Sequence, residues 1–296
     1  MNKKQFLQTL KAKLADTTSE AVIKKEIIRE VIYKASDLLA VGTKVVAVRE
    51  FGDLYVKWAY PSEMSASYPV PEGAVPPSVE PVEWTEFNLE LKKAVVRFSI
   101  TDEAKLRQLG NYQLEFSRRR AAEALAKAKD NEILTKLKAG AGQSVAAAAA
   151  WDADAADPAG DIVAAIGKIF ENSNILESEI KGMVVIVPAK VWAPLHKIQE
   201  IANIRQSIKD YLESSYGLKF YPSRILSTDA LVLVPGEMTA IHGVLRTNKI
   251  PLVEEIRRPE RGVTEYIIKQ FFATAIVPDT SDGKSNRICK ITGVSA

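Results

Sequence analysis

Few side chains in this sequence could do chemistry. The histidines are His196 and His242, and the sole thiol is Cys289. His196 stands in WAPLHKIQEI on an expected helix with no Ser or Cys nucleophile motif beside it, and His242 in TAIHGV follows an expected strand. Both read as surface or partly buried side chains. Cys289 alternates with Ile288 and Lys290 in a strand pattern, which suits a buried structural thiol better than a nucleophile. Ser178 and Lys181 have Ser-x-x-Lys spacing, but the companion motifs of that chemistry are missing. Gly140-Ala141-Gly142 lacks the third glycine and the preceding strand of a dinucleotide fingerprint. Two histidines and one cysteine cannot build a metal centre of Cys/His type, and no phosphate loop is present. The reading is a chain that is not an enzyme and needs no cofactor or metal.

Two charged features are more informative. Arg118, Arg119 and Arg120 follow one another in a helical context. Successive helical residues step by about 100°, so the triplet spans roughly 200° of surface and cannot all be buried. It is either a solvated face, with Glu115 and Glu123 as partners one turn away, or a docking surface for something acidic. The acidic counterpart lies upstream. Between Trp58 and Leu91 there are six glutamates (Glu63, Glu72, Glu80, Glu83, Glu86 and Glu90) and no Lys or Arg. Six prolines crowd the same stretch, from Pro61 to Pro81, so it cannot be a helix or a central strand. Its aromatics, Trp58, Tyr60, Tyr68, Trp84 and Phe87, have no obvious core within the chain. Uncompensated glutamates repel one another, and a neighbour's basic surface would turn that repulsion into attraction. Glu63, Glu72, Glu80, Glu83 and Glu86 with Trp84 are therefore candidate contacts of the loop, and Arg118, Arg119 and Arg120 of the helix.

The elements that must position these groups follow from periodicity. A chain of 296 residues, 47% hydrophobic and 26% charged, folds with a substantial core. A net charge of +3 is too weak to imply nucleic-acid binding by charge alone. No apolar run approaches the roughly 18 residues of a membrane span. The expectation is a soluble protein of a reducing compartment. Residues 1–40 read as broken helix, and 43–60 as a hairpin turning at Gly52-Asp53. Phe87, Leu89 and Leu91 alternate with polar residues in a strand, and AVVRFSI at 94–100 leads into a helix capped by Thr101. That helix runs towards Gly140, about 36 residues and ~54 Å at 1.5 Å per residue. Residues 140–160 read as a small-residue loop. From Asp161 helices and strands alternate as an α/β unit, with one helix spanning 194–213. Residues 263–277 and 286–294 read as long strands that return to the long helix and the 94–100 strand.

This order of parts resembles the major capsid proteins of tailed viruses of the Hong Kong 97 phage type. KWAYPSEMSASYPVPEGAVPPSVEPVEWTEFNLEL stands where that family has its extended loop. AVVRFSITDEAKLRQLG and the residues after it look like its strand and spine helix. DIVAAIGKIF, GMVVIVPAKVWAPL and VTEYIIKQFFATAIV resemble segments of its axial domain and of the return to its peripheral domain. The resemblance covers about residues 25–294 and implies an α+β fold. Its parts would be an N-terminal arm over 1–42, then strands and loop over 43–100, with the loop at about 58–92. A spine helix over 101–139, an axial domain over 161–255 and return strands over 256–296 would complete it. The function implied is a capsid subunit, assembling into hexamers and pentamers that enclose viral double-stranded DNA in an icosahedral virion shell. The axial domain would gather round the capsomer axis through the 200–220 segment. An encapsulin-like nanocompartment shell is the alternative. Partners implied are other copies, packaged DNA on the inner surface, and portal, scaffold or decoration proteins; no membrane is implied, and assembly would take place in the host cytoplasm. Some members crosslink through a loop lysine, but no lysine lies between Lys57 and Lys92, so a noncovalent shell is expected. Only about 40 residues precede the first strand, so a scaffold would be a separate protein or unnecessary.

Overall fold

The computed structural model describes Ser36 and residues 39–61, 84–106, 110–153, 156–201, 204–246, 252–280 and 282–295. The expected N-terminal helix lies outside these residues, apart from its last few. In chain order the strands β1 (Val46–Phe51), β2 (Tyr55–Pro61), β3 (Trp84–Glu90) and β4 (Lys92–Thr101) come first. Helices α1 (Asp102–Leu106) and α2 (Gly110–Ala139) follow, then β5 (Ala141–Ala146) and α3 (Pro158–Asn172). Next are α4 (Glu177–Ile180), β6 (Val184–Pro188), α5 (Trp192–Leu195) and the strands β7 (Ile198–Ile201) and β8 (Ile204–Ser207). Helix α6 (Ile208–Tyr216), β9 (Lys219–Ser223), β10 (Ala230–Leu233) and β11 (Gly236–Leu245) precede the closing β12 (Leu252–Arg258), β13 (Val263–Ile276) and β14 (Ser285–Thr292).

Two five-stranded sheets organise the chain. The first runs β1-β11-β13-β12, with β4 also paired to β13. Strands present alternate residues to opposite faces, and β13 uses both. Tyr266 and Ile268 pack on Leu114, Ala121, Ala122 and Leu125 of the spine helix α2. Phe271, Ala273 and Ala275 turn the other way, towards Leu89 and Leu91. The second sheet runs β5-β14-β10-β6-β9 and is also covered on both faces, which explains its unbroken apolar runs. Val185, Val187, Val232, Cys289 and Ile291 meet Ile162, Ala165 and Ile169 of α3, with Leu212 of α6. On the other face Val184, Ile186, Leu231, Leu233 and Ile288 meet Ile133, Leu134 and Leu137 of the spine. One helix thus serves both sheets.

Local chemistry sets the helix ends. Asp157 caps α3, accepting from Gly160 N at 2.9 Å, with Pro158 preset for the first turn. Ser207 caps α6 by accepting from Asp210 N at 3.1 Å, and Gly217, at φ 67°, closes it in the left-handed region. Trp151 is buried, and its indole N–H donates to Asp161 Oδ2 at 2.8 Å. Ala148 N donates to the other Asp161 oxygen at 3.1 Å, which ties the alanine-rich stretch onto α3.

The structure corrects several expectations. Residues 43–60 do contain two strands, but these do not pair with each other: β1 lies parallel to β11, and β2 pairs antiparallel with β3. Part of the expected 140–160 loop is strand β5, parallel to β14. Its small residues carry no clear alternating pattern; pairing with β14 gives it form, with Val145 packed on the α3 side. The expected helix over 194–213 is instead α5, the antiparallel β7–β8 pair and α6. Strand β14 belongs to the second sheet, between β5 and β10, so it meets the spine through Ile288 from that sheet and does not join β4 and β13. Strand β11, although within 161–255, belongs to the first sheet. His242 is fully buried within β11, neither on the surface nor after the strand.

Cys289 is fully buried between β5 and β10, and burial pushes its thiol up to about 11. A thiolate is the reactive form, so the native protein is expected to resist maleimide labelling near neutral pH and to label rapidly in denaturant. Rapid labelling of native protein would contradict this packing.

Candidate intersubunit surface

Strands β2 and β3 form a ribbon in register from Tyr55↔Glu90 to Pro61↔Trp84. Alternation divides it into two faces. Val56, Trp58, Tyr60, Phe87 and Leu89 turn towards the body, while Tyr55, Lys57, Ala59, Trp84, Glu86, Asn88 and Glu90 are exposed. The inner aromatics have intrachain partners, contrary to the expectation that they lack a core. Phe51 and Trp58 meet edge-on at 5.7 Å, and Tyr60 stacks on Phe87 at 6.2 Å. Tyr60 donates its hydroxyl to the Glu237 carbonyl at 3.1 Å, and burial beside Glu237 pushes its phenol up to about 12. Arg49 in turn grips the Glu237 carboxylate, at 3.2 Å from Nε and 2.5 Å from Nη2.

The ribbon root depends on Gly243. A Cβ there would lie 2.4 Å from Leu89 and 2.9 Å from the Phe51 ring. Only glycine lets both side chains sit directly on β11.

The spine helix supplies the second surface, and it separates the arginine triplet. Arg118 is 4% exposed, with Nε and Nη2 lacking hydrogen-bond partners among the described residues. Burial draws its guanidinium below the ordinary arginine value. It lies on the stripe that continues through Ala121, Ala122 and Leu125, so the helix turns it inward, away from any neighbour. Arg119 and Arg120 remain exposed and pair with Glu123 at 3.4 Å and 3.3 Å. Arg120 also lies over the Phe116 ring at 5.1 Å. Tyr112 and Phe116, which the sequence reading passed over, are 71% and 49% exposed. Their i, i+4 spacing with Arg120 was the available signal.

Of the loop candidates, Trp84 is exposed on β3, as is Glu86. Glu63, Glu72, Glu80 and Glu83 lie outside the described residues. No group of three or more metal-ligating side chains occurs among the described residues. His196 is exposed at the end of α5, its ring against Trp192 at 5.0 Å.

Solved structures with the same arrangement define the class. A virus-like particle protein from Pyrococcus furiosus matches with a TM-score of 0.62 at 12% identity, over 91% of this chain and 100% of that one. Mycobacterium phage Che8 matches at 0.56 with 15% identity, over 94% and 96%. The capsid of Myoviridae phage XM1 matches at 0.60 with 11% identity, over 84% and 89%. The fold is the Hong Kong 97 phage-type capsid fold, and the long helix, sheets and ribbon are its parts. Residues 86–283 match the family described as phage capsid protein, and the chain belongs to that family. It is a shell protein of the virion capsid. No curated protein matches it.

Proposed function

We propose that the chain is the subunit of an icosahedral shell, assembling as hexamers and pentamers around viral double-stranded DNA in the host cytoplasm and acting without enzymatic activity. The observation that carries this is the ribbon. Its inner face is anchored on its own sheet through Leu89, Leu91, Leu245 and Ala273. Its outer face carries Trp84 at 62% exposure, next to a proline- and glutamate-rich segment. Such a face gains stability only by burying itself on another copy. Glu63, Glu72, Glu80, Glu83 and Glu86 with Trp84 meet a neighbour's spine helix, where Arg119 and Arg120 are the accessible cations. The β7–β8 pair, at the start of the segment the sequence suggested as axial, meets its counterparts at the capsomer axis. Portal, scaffold or decoration proteins would add to this shell, and packaged DNA would face its inner surface.

Electron microscopy of the purified protein, with nuclease-protected contents analysed, tests the proposal. Closed particles holding DNA from infected cells are expected. Particles filled with a protein cargo would favour the encapsulin-like nanocompartment. A monodisperse subunit under every condition would overturn both.

A further inference from the structure

We infer that ordered water is built into the seam between the spine helix and the first sheet, hydrogen-bonded to the Gln270 amide and to Nε2 of His242. The inference is independent of the shell reading. Alternate residues of a strand share a face, so Tyr266, Ile268, Gln270, Phe272, Thr274 and Ile276 of β13 all lie on the spine side. The two ends of this row are apolar. Tyr266 and Ile268 pack with Leu114 and Leu125 of the spine, and Ile276 packs with Ile133 and Leu137. The middle is polar and equally buried. Gln270 and His242 are 0% exposed and Thr274 is 4% exposed. On the spine, between Leu125 and Ile133, Lys129 is buried as well and donates to Ser36 Oγ at 3.0 Å.

Three buried polar atoms in this middle stretch have no protein partner among the described residues: Gln270 Oε1, Gln270 Nε2 and His242 Nε2. A buried amide left unbonded loses its hydration and gains no bond in exchange. The three atoms belong to one part of the seam. His242 is the register partner of Thr274, and its Nδ1 lies 2.9 Å from Thr274 Oγ1, which leaves Nε2 as the ring's other hydrogen-bonding atom. The ring also rests on Phe272, which stands between Thr274 and Gln270, with centroids 5.6 Å apart. Water suits this set. It both donates and accepts, so it can serve an amide oxygen, an amide N–H and either tautomer of the imidazole. A buried water typically makes about three hydrogen bonds, and three orphan atoms are present. It also needs room, and the side chains beside Gln270 are short: Ala94 is its partner on β4, and Ala126 precedes Lys129 by about one turn of the spine.

A map that resolves ordered interior waters, from particles or from crystals of the subunit, should show density within hydrogen-bond distance of the Gln270 amide and of His242 Nε2. A double-mutant cycle gives a second reading. Gln270→Met and His242→Leu each remove one side of the shared water and orphan the other, so each should lower the folding equilibrium constant roughly tenfold. The double variant removes both sides, and its loss should be smaller than the product of the single losses by roughly fivefold or more. Single losses that simply multiply in the double variant would overturn the inference. So would a map of that quality with no density at this position, or with a protein side chain in its place. Should a single variant fail to fold, the map of the unaltered protein decides by itself.

Discussion

Reversing the two accessible spine arginines, Arg119→Glu with Arg120→Glu, is expected to block shell assembly while leaving the subunit folded. Both side chains are exposed, at 79% and 66%, and their intrachain ion pairs with Glu123 contribute little to stability. Each exposed pair across an interface is worth only ~0–1 kcal/mol and is screened by salt. Reversal replaces attraction with repulsion, however, and does so at every copy of the contact. A loss of about 1–2 kcal/mol per subunit raises the concentration needed for assembly roughly 5–30-fold. Sedimentation at low salt should show capsomers or single subunits where the unaltered chain gives particles, with an unchanged circular dichroism spectrum. Adding Glu80→Lys with Glu83→Lys should partly restore assembly. Normal assembly of the arginine variant at low salt would reduce these side chains to a solvated face.

Acid should destabilise the subunit through His242. Its ring is fully buried, with Nδ1 2.9 Å from Thr274 Oγ1 and Nε2 without a partner among the described residues. Burial, reinforced by the nearby Lys129 ammonium, lowers its pKa to about 3. The folded state holds the ring neutral, whereas the unfolded chain protonates it near 6.5. The unfolded state therefore binds more protons between these values, and stability falls as pH drops through that window. The slope is about 1.4 kcal/mol per pH unit from this one group, and the full contribution is present above pH ~6.5. His242→Gln keeps a polar group near Thr274 but removes the titration. Unfolding free energies from denaturant titrations between pH 4 and 7 should thus fall less steeply in the variant, by about that slope. Equal slopes in the two proteins would exclude His242 as the acid-sensitive group.

The arginine triplet shows where reading from sequence reaches its limit. Helical geometry alone required that the three side chains point in different directions, and they do. It did not say that Arg118 would be the buried one, because that depends on Ile100, Tyr266 and Ile268 arriving from distant strands to cover that side of the helix. His242 poses the same problem, since the side chains packed against its ring, Thr274 and Phe272, arrive on β13 from about 30 residues further along the chain. The aromatic pair Tyr112 and Phe116 carried a helical spacing signal, but exposure is a property of what fails to pack there.

By itself the sequence determined the elements whose cause is local. The long alanine-rich spine behind its Thr101 cap, the alternating Phe87-Leu89-Leu91 strand, the VVIVP strand and the helix from Asp161 are all legible as periodicity and capping chemistry. The proline-rich glutamate segment without a cation was equally plain, and with the order of parts it pointed to a shell subunit. The tertiary structure alone decided which strands pair. It set β1 beside β11, carried β14 into the second sheet and made a strand of the patternless residues 141–146. The physical reason is that a backbone hydrogen bond in a sheet is much the same whichever strand supplies the partner. Choice among partners therefore falls to side chains far apart in sequence, such as Gly243 admitting Leu89 and Phe51, and no local pattern records that choice.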